Sequence, residues 1–352
     1  MKILVTGASG LIGSNIVREA VAAGHRVRAM VRPSSNLLAL DKVRVEIVHG
    51  DVLDRSSLVK VMRGCDAVIH SAAIFAWERA PAVELIRVAV EGTQNMVDAT
   101  ADGGIGRMVL TSSSVVCGSS ADPVPRTEAS RCDEGPEVSY IQAKVMQESA
   151  AFERGAERGV EVVAACPSMT IGGGGFRLSP SNGALVSFIE DPLRLTFAGG
   201  FNVVSVRDVA RGHLLLLERG TPGERYLLGS EDLTWREIHR TIAELCGTGG
   251  PYYEAGHTGS YLAATADEVL SKVIRGRKQI ATRTQARMVG RYYWCRHDRA
   301  AALGFAPRPA RQAIAEALSW LVGSHHVSRE MRARMRLSAE LYRARYPEDA
   351  TA

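Results

Sequence analysis

The chain has 352 residues, 46% hydrophobic and 23% charged, which excludes disorder and suits one large domain or two closely packed ones. Its formal charge of +5 is too small to argue for a nucleic-acid partner but suits an anionic cofactor. Its six cysteines stand singly with no CxxC pair, which indicates neither zinc nor a disulfide framework and fits a reducing cytoplasm.

Lys2–Thr6 is a short β-branched run, the pattern of a buried strand, and leaves no room for a signal peptide before it. Gly7, Gly10 and Gly13 follow, and from Leu11 an apolar-periodic segment (Leu11, Ile12, Ile16, Val17, Ala20, Val21) predicts a helix. A glycine turn between strand and helix offers backbone N–H groups and a positive helix end to an anion. The backbone of Gly7, Ser9, Gly10, Leu11, Ile12 and Gly13 is thus the expected pyrophosphate site of a dinucleotide.

Arg26–Val31 is a second strand. It runs into Arg32, Pro33, Ser34 and Ser35 with no acidic residue, where an Asp or Glu would select NAD. A guanidinium matches phosphate geometry and serine hydroxyls add donors, so Arg32 and Ser35 point to NADP(H), with NAD(H) the alternative.

Val43–Val48 reads as a third strand, Asp54 as the N-cap of a helix over 55–64, and Cys65–His70 as a fourth strand leading into Ser71, Ala72 and Ala73. A helix is predicted over 82–102, with Asn95 expected to be exposed. Arg107–Leu110 is a fifth strand followed by Ser112, Ser113 and Ser114. Residues 118–136 read as an exposed loop. A helix over 137–157 carries Tyr140 and Lys144, and Val160–Ala165 is a sixth strand. Gly172–Gly175 reads as a flexible substrate loop. Such alternation predicts a doubly wound parallel sheet, with ligands at the carboxyl ends of its strands.

Farther on, short strands are expected over 202–206 and 225–228, with a helix over 208–218. Another helix is expected over 234–245, with Thr234 and Glu237 as a capping box. Residues 251–277 start irregular and become helical. A turn of helix is expected over 298–303 and a longer one over 311–322. An arginine-rich helix follows over 328–346, read chiefly as docked on the body or on another subunit and less as a membrane-surface helix. No apolar run reaches the length of a membrane span.

Tyr140 and Lys144, four apart, share a helix face. A neighbouring ammonium favours phenolate, so the pair can exchange a proton with a carbonyl or alcohol oxygen near neutrality. A serine at the edge of the fifth strand can hold the same oxygen.

Thr6–Gly13 (TGASGLIG) followed by Tyr140–Lys144 (YIQAK) resembles the extended short-chain dehydrogenase/reductase family over residues 1–323. The segments VRAMVRP, VEGTQN and GHLLLLERG are most similar to its dihydroflavonol-reductase-like and hopanoid-associated sugar-epimerase-like branch. The resemblance implies an α/β Rossmann domain over 1–166 and 201–229. It also implies a smaller α/β substrate domain over 167–200 and 230–323, leaving an arginine-rich tail over 324–352. It implies Ser113, Tyr140 and Lys144 as catalytic residues, with Ser112 and Ser114 the other candidates for the serine. Asp51 and Val52 would lie on the adenine side, and Ser71, Ala72, Ala73, Pro167 and Ser168 along the cofactor edge. Phe75, Trp77, Ser114 and Met169 are expected near substrate.

The sequence departs from the family's pattern at Arg207, where relatives carry an acid, and at Val115-Val116, where sugar-nucleotide dehydratases carry an Asp-Glu pair. Dehydration is therefore discounted. The expected activity is NADPH-dependent reduction of a carbonyl on a small molecule, or the reverse oxidation of an alcohol, by a homodimeric cytoplasmic enzyme. The alternatives are a nucleotide-sugar epimerase with retained NAD, using Arg177, Arg194 and Arg207 on the pyrophosphate, and a non-catalytic NADP sensor.

Overall fold

The structure, a computed structural model, describes residues 1–72, 82–133, 135, 138–273 and 283–344. Ala73, Phe75 and Trp77 lie outside the described residues. Strands β1 (Lys2–Thr6), β2 (Arg26–Val31), β3 (Glu46–His49), β4 (Ala67–His70), β5 (Arg107–Thr111) and β6 (Glu161–Pro167) alternate with helices α1 (Leu11–Ala22), α2 (Arg55–Met62), α3 (Ala82–Asp102) and α4 (Ser139–Arg158). Then come β7 (Met169–Ile171), α5 (Pro180–Glu190), β8 (Leu195–Phe197), β9 (Gly200–Ser205), α6 (Val206–Arg219), β10 (Arg225–Leu228), β11 (Glu231–Thr234) and α7 (Trp235–Cys246). The remainder is β12 (Tyr253–Ala255), α8 (His257–Val273), α9 (Arg283–Arg287), β13 (Tyr292–Tyr293), α10 (Asp298–Ala302), α11 (Ala310–Gly323), α12 (Arg329–Arg334) and α13 (Ala339–Arg343).

Seven parallel strands form one sheet in the order β10-β6-β5-β4-β1-β2-β3, the Rossmann order. Residues alternate between its faces. Ile3 and Val5 of β1 pack with Ile16, Val17 and Ala20 of α1 and Val209, Ala210 and Leu216 of α6. Leu4 packs on the opposite side with Leu58 and Met62 of α2, Met96 and Val97 of α3 and Ala151 of α4. A strand buried on both faces must be apolar at every position, which is why these segments read as continuous hydrophobic runs.

A separate core gathers Leu185, Phe188 and Ile189 of α5, Ile238, Ile242 and Leu245 of α7, and Ile314, Leu318 and Leu321 of α11 around Met169 and Val203. The sheet beneath it pairs β9 with β7, β11 and β13, and β12 pairs β8. The expected capping groups are in place. Asp54 accepts from the Ser56 and Ser57 N–H groups, and Thr234 and Glu237 form the reciprocal capping box.

Several expectations are corrected. The third strand begins at Glu46, while Val43 and Val45 instead pack against the core on the α1 side. Gly172–Gly175 is a buried, anchored packing segment. Ser14 and Asn15 of α1 donate to the Gly174 and Gly173 carbonyls at 2.9 and 3.0 Å, and Asn182 bonds both the N–H and the C=O of Gly172. A Cβ on Gly173 would meet the Trp320 ring at 2.6 Å, so only glycine lets α11 approach here. Loop 118–133 is exposed along much of its length but is tied down by bridges Ser120–Tyr292 and Arg126–Cys295. Asn95 is half-buried and donates to the Val52 carbonyl at 3.0 Å.

The tail is two short helices, not one long one. The Arg336 and Ser338 N–H groups donate to the Cys246 and Leu245 carbonyls, both at 2.9 Å. They thereby satisfy orphan carbonyls at the end of α7, which a continuous helix could not do. Leu341 is buried in the same core. No described helix is long and apolar enough to cross a membrane.

Arg308 ties the second core to α6. Its backbone N–H donates to Asp208 Oδ2 at 2.9 Å, its guanidinium reaches Asp208 Oδ1 at 2.9 Å, and Nη1 reaches Glu316 at 2.6 Å. Asp208 is 2% exposed. Replacing it with Ala would leave Arg308 short of a buried counter-charge, so Asp208→Ala should lower unfolding free energy by about 3–5 kcal/mol, measured by urea denaturation.

Candidate active site

The glycine turn leaves β1 at Gly7, whose φ of +63° favours glycine. Gly7 also packs against the backbone after β4: an added Cβ would lie 2.7 Å from the Ser71 carbonyl carbon. A Cβ on Gly13 would lie 2.2 Å from the Gly7 carbonyl oxygen. The contact sets how closely α1 can approach the turn. Gly10 is the N-cap of α1 and no side chain caps its first turn, whereas Asp54, Ser179, Ser205 and Thr234 cap α2, α5, α6 and α7. The turn residues Gly7, Ser9, Gly10, Leu11, Ile12 and Gly13 therefore fit an anion that takes N–H groups as donors.

The other expected cofactor residues lie at the same carboxyl edge of the sheet. Arg32 and Ser35 form a turn after β2, in which the Arg32 N–H donates to Ser35 Oγ at 3.1 Å and the Ser35 N–H to the Arg32 carbonyl at 2.9 Å. The Arg32 side chain is exposed. Asp51 and Val52 follow β3: Asp51 accepts from the Leu53 N–H, and Val52 meets α3 at Gly92, where a Cβ would come within 2.8 Å of its Cγ2. Ser71 and Ala72 follow β4, and the Ala72 N–H donates to Thr6 Oγ1 at 3.1 Å. Pro167 ends β6, and Ser168 donates to Asn202 at 2.9 Å. Met169 is buried in the second core.

The three serines after β5 have different surroundings. Ser112 Oγ donates to Glu148 Oε2 at 2.5 Å, and Glu148 forms an ion pair with Arg225 at 2.5 Å. Ser113 caps the short 3-10 turn Ser114–Cys117, accepts from the Val115 N–H at 3.5 Å, and lies beside the Tyr140 hydroxyl, whose pKa it lowers. Ser114 is half-buried and belongs to that turn. Of the three, Ser113 is the one that acts on Tyr140.

Tyr140 lies in α4 among Val115, Val138 and Tyr293. Burial pushes its phenol well above the ordinary value, and Ser113 offsets part of that rise. Here the expectation of a lysine-lowered tyrosine is corrected. Lys144 donates to the Thr111 carbonyl and to Gln147 Oε1, both at 2.9 Å, and burial lowers its own pKa from 10.5 to about 8. In the polypeptide by itself, Tyr140 is therefore a protonated acid near neutrality.

Arg194 and Arg207, expected as pyrophosphate contacts, are committed elsewhere. Arg194 donates to the Phe188 and Ile189 carbonyls at the end of α5, and Arg207 pairs with Glu19 at 3.3 Å on the outer side of α1 and α6. Arg177 is exposed. Sequence reasoning missed the acceptors around Lys144. Gln147 is three residues beyond it on the same face, a signal that was legible, but Thr111 acts through its carbonyl and carries no side-chain signature.

Comparison with known proteins bears on the family and the fold. The model described as "NAD dependent epimerase/dehydratase family" matches residues 3–229. The chain is 32% identical to "Sterol demethylase protein B" of Methylococcus capsulatus over 247 residues, 70% of this chain and 75% of that one. It is 30% identical to a "Putative dihydroflavonol 4-reductase" of Synechocystis over 331 residues, 92% and 95% of the two chains. Among solved structures, a nucleoside-diphosphate-sugar epimerase from Pseudomonas aeruginosa superposes with a TM-score of 0.76 at 25% identity, over 93% of this chain and 99% of that one.

A methyl group at Gly13 has no space against Gly7. Gly13→Ala should cost about 1–3 kcal/mol of stability by overpacking and weaken nicotinamide-dinucleotide binding about tenfold or more by displacing the N–H donors, measured by urea denaturation and by titration calorimetry.

Proposed function

The chain belongs to the NAD dependent epimerase/dehydratase family, and from that premise we propose that it is an NADPH-dependent reductase of a ketone or aldehyde on a small organic molecule. The observation that carries the reading is the placement of Ser113 beside the Tyr140 hydroxyl at the carboxyl edge of the sheet, with Lys144 one turn along α4. The nicotinamide, when bound, supplies the hydride. Tyr140 donates its proton to the carbonyl oxygen as charge develops there. Ser113 Oγ, held by the Val115 N–H, bonds the same oxygen and fixes its position. Lys144, one helical turn along, is held at the same site by the Thr111 carbonyl and Gln147. Burial keeps Tyr140 protonated, the form from which it can act as the acid in reduction.

Arg32 at the end of β2, with Ser35 beside it and no carboxylate in the turn, supports the 2′-phosphate form of the cofactor. The substrate class is supported by the reductase named among the relatives. The commitment of Arg194 and Arg207 to α5 and Glu19 removes two of the three cations that an epimerase would use on a sugar nucleotide. The protein acts in the cytoplasm as a homodimer in this reading.

Tyr140→Phe should reduce the turnover of NADPH-dependent carbonyl reduction by about 10²- to 10⁴-fold. Its NADPH dissociation constant should be unchanged. The substrates are a panel of aromatic and aliphatic ketones and aldehydes that includes dihydroflavonols. Undiminished turnover would remove the mechanism. Tightly retained NAD, with no consumption of added NADPH, would favour the epimerase.

Arg32→Glu should lower kcat/KM for NADPH about 10- to 100-fold relative to NADH, the worth of one hydrogen bond to a charged group. Parallel steady-state assays with the two cofactors decide it.

A further inference from the structure

We propose that Gln147, Thr93 and His70 are positioning residues that hold Lys144 through a one-way hydrogen-bond chain anchored on the strand entering the glycine turn. The links are short and continuous. Lys144 Nζ donates to Gln147 Oε1 at 2.9 Å, and Gln147 Nε2 donates to Thr93 Oγ1 at 3.0 Å. Thr93 Oγ1 is 3.3 Å from His70 Nε2, and His70 Nδ1 is 2.8 Å from Thr6 Oγ1. Every member is buried: Lys144 is 5% exposed, Gln147 1%, Thr93 0%, His70 2% and Thr6 0%.

Donor inventory fixes the first two links, and the direction of the last two is what we assign. An ammonium only donates, so Gln147 must present its oxygen to Lys144 and its NH₂ to Thr93. Thr93 Oγ1 then accepts from the amide, and in the assigned chain its own proton goes to His70 Nε2. In the one-way chain we assign, His70 carries its proton on Nδ1 and donates to Thr6 Oγ1; the Nε2–H tautomer, donating to Thr93, is the arrangement it excludes. Thr6 also accepts from the Ala72 N–H. The chain thus joins α4, α3, β4 and β1 and ends one residue before Gly7.

A purely structural filler would not need this ordering. Four polar side chains buried together are costly unless each is satisfied, and apolar side chains of the same volume would pack without that demand. What the polar chain adds is an acceptor aimed at Lys144. The titratable groups around the ammonium are Tyr140 and Glu148 on α4, Cys166 on β6 and His70 on β4. Glu148 is already engaged by Ser112 and Arg225. Burial pushes His70 down to about 3, so it is neutral at physiological pH and the chain carries no charge of its own. Gln147 Oε1 and the Thr111 carbonyl are the acceptors that stabilise the charged lysine.

The kinetic arm of the test rests on the reductase reading; the spectroscopic arm does not. In full-length protein labelled with ¹⁵N-histidine at pH 7, His70, assigned by loss of its signals in His70→Asn, should show the Nδ1–H tautomer in two-bond correlation spectra. An Nε2–H tautomer overturns the chain. In carbonyl reduction with NADPH, Gln147→Leu should move the high-pH limb of kcat/KM down by about one pH unit, because the ammonium loses an acceptor. Gln147→Glu, which restores an acceptor, should return the limb to the wild-type position or above it. Thr93→Val, close in shape, should move the limb down by less and disturb the His70 tautomer. A uniform fall in rate with an unmoved limb in these variants means a structural role only and overturns the proposal. If the wild type reduces no carbonyl, the reductase reading fails and the His70 tautomer alone decides the chain.

Discussion

A lysine ammonium that is 5% exposed must find acceptors or lose its proton. That constraint organises the centre of this molecule. The Thr111 carbonyl at the end of β5 supplies one acceptor, and Gln147, a turn further along α4, supplies the other. Thr111 is itself fixed, because its hydroxyl bonds His213 Nε2 at 2.9 Å, and His213 Nδ1 donates to the Val209 carbonyl of α6. A strand, the helix that follows it and a helix on the far side of the sheet are thus locked to one cation. Tyr140 and Ser113 take their places relative to that frame.

Around this centre the molecule alternates between contacts that only glycine allows and polar links that only particular side chains make. The turn closes because Gly13 can lie against Gly7. The run 172–175 lies against both α1 and α11, with Ser14, Asn15 and Asn182 bonding its backbone. Asp208, Arg308 and Glu316 then join α6 to α11. The apolar cores supply the bulk of the burial, and these links decide which surfaces face one another.

Much of the site was legible in the sequence because its signals are local. Three glycines between a strand and a helix announce a turn with free N–H groups. Tyr140 and Lys144 share a face at any helix of 3.6 residues per turn. Asp54 and Thr234 announce helix starts through side chains that act two or three residues away. What was misread depends on partners distant in sequence. Asn95 looked exposed because nothing near it in the chain shows that Val52 lies beside it. Arg207 was open as a pyrophosphate contact in the epimerase alternative because its partner Glu19 is on another helix. The tail looked like one helix because the carbonyls that interrupt it belong to α7.

The sequence by itself determined that a parallel α/β sheet would form, that a dinucleotide-type glycine turn would open it, and that a tyrosine and a lysine would share a helical face. These follow from periodicity and backbone sterics, which act over a few residues. Only the tertiary structure decided that Ser113, rather than Ser112 or Ser114, meets Tyr140, because the sheet edge turns each serine towards a different neighbour. It also decided the protonation of the pair. Burial raises the tyrosine and lowers the lysine, and desolvation is a property of everything packed around a group, not of its neighbours in the chain.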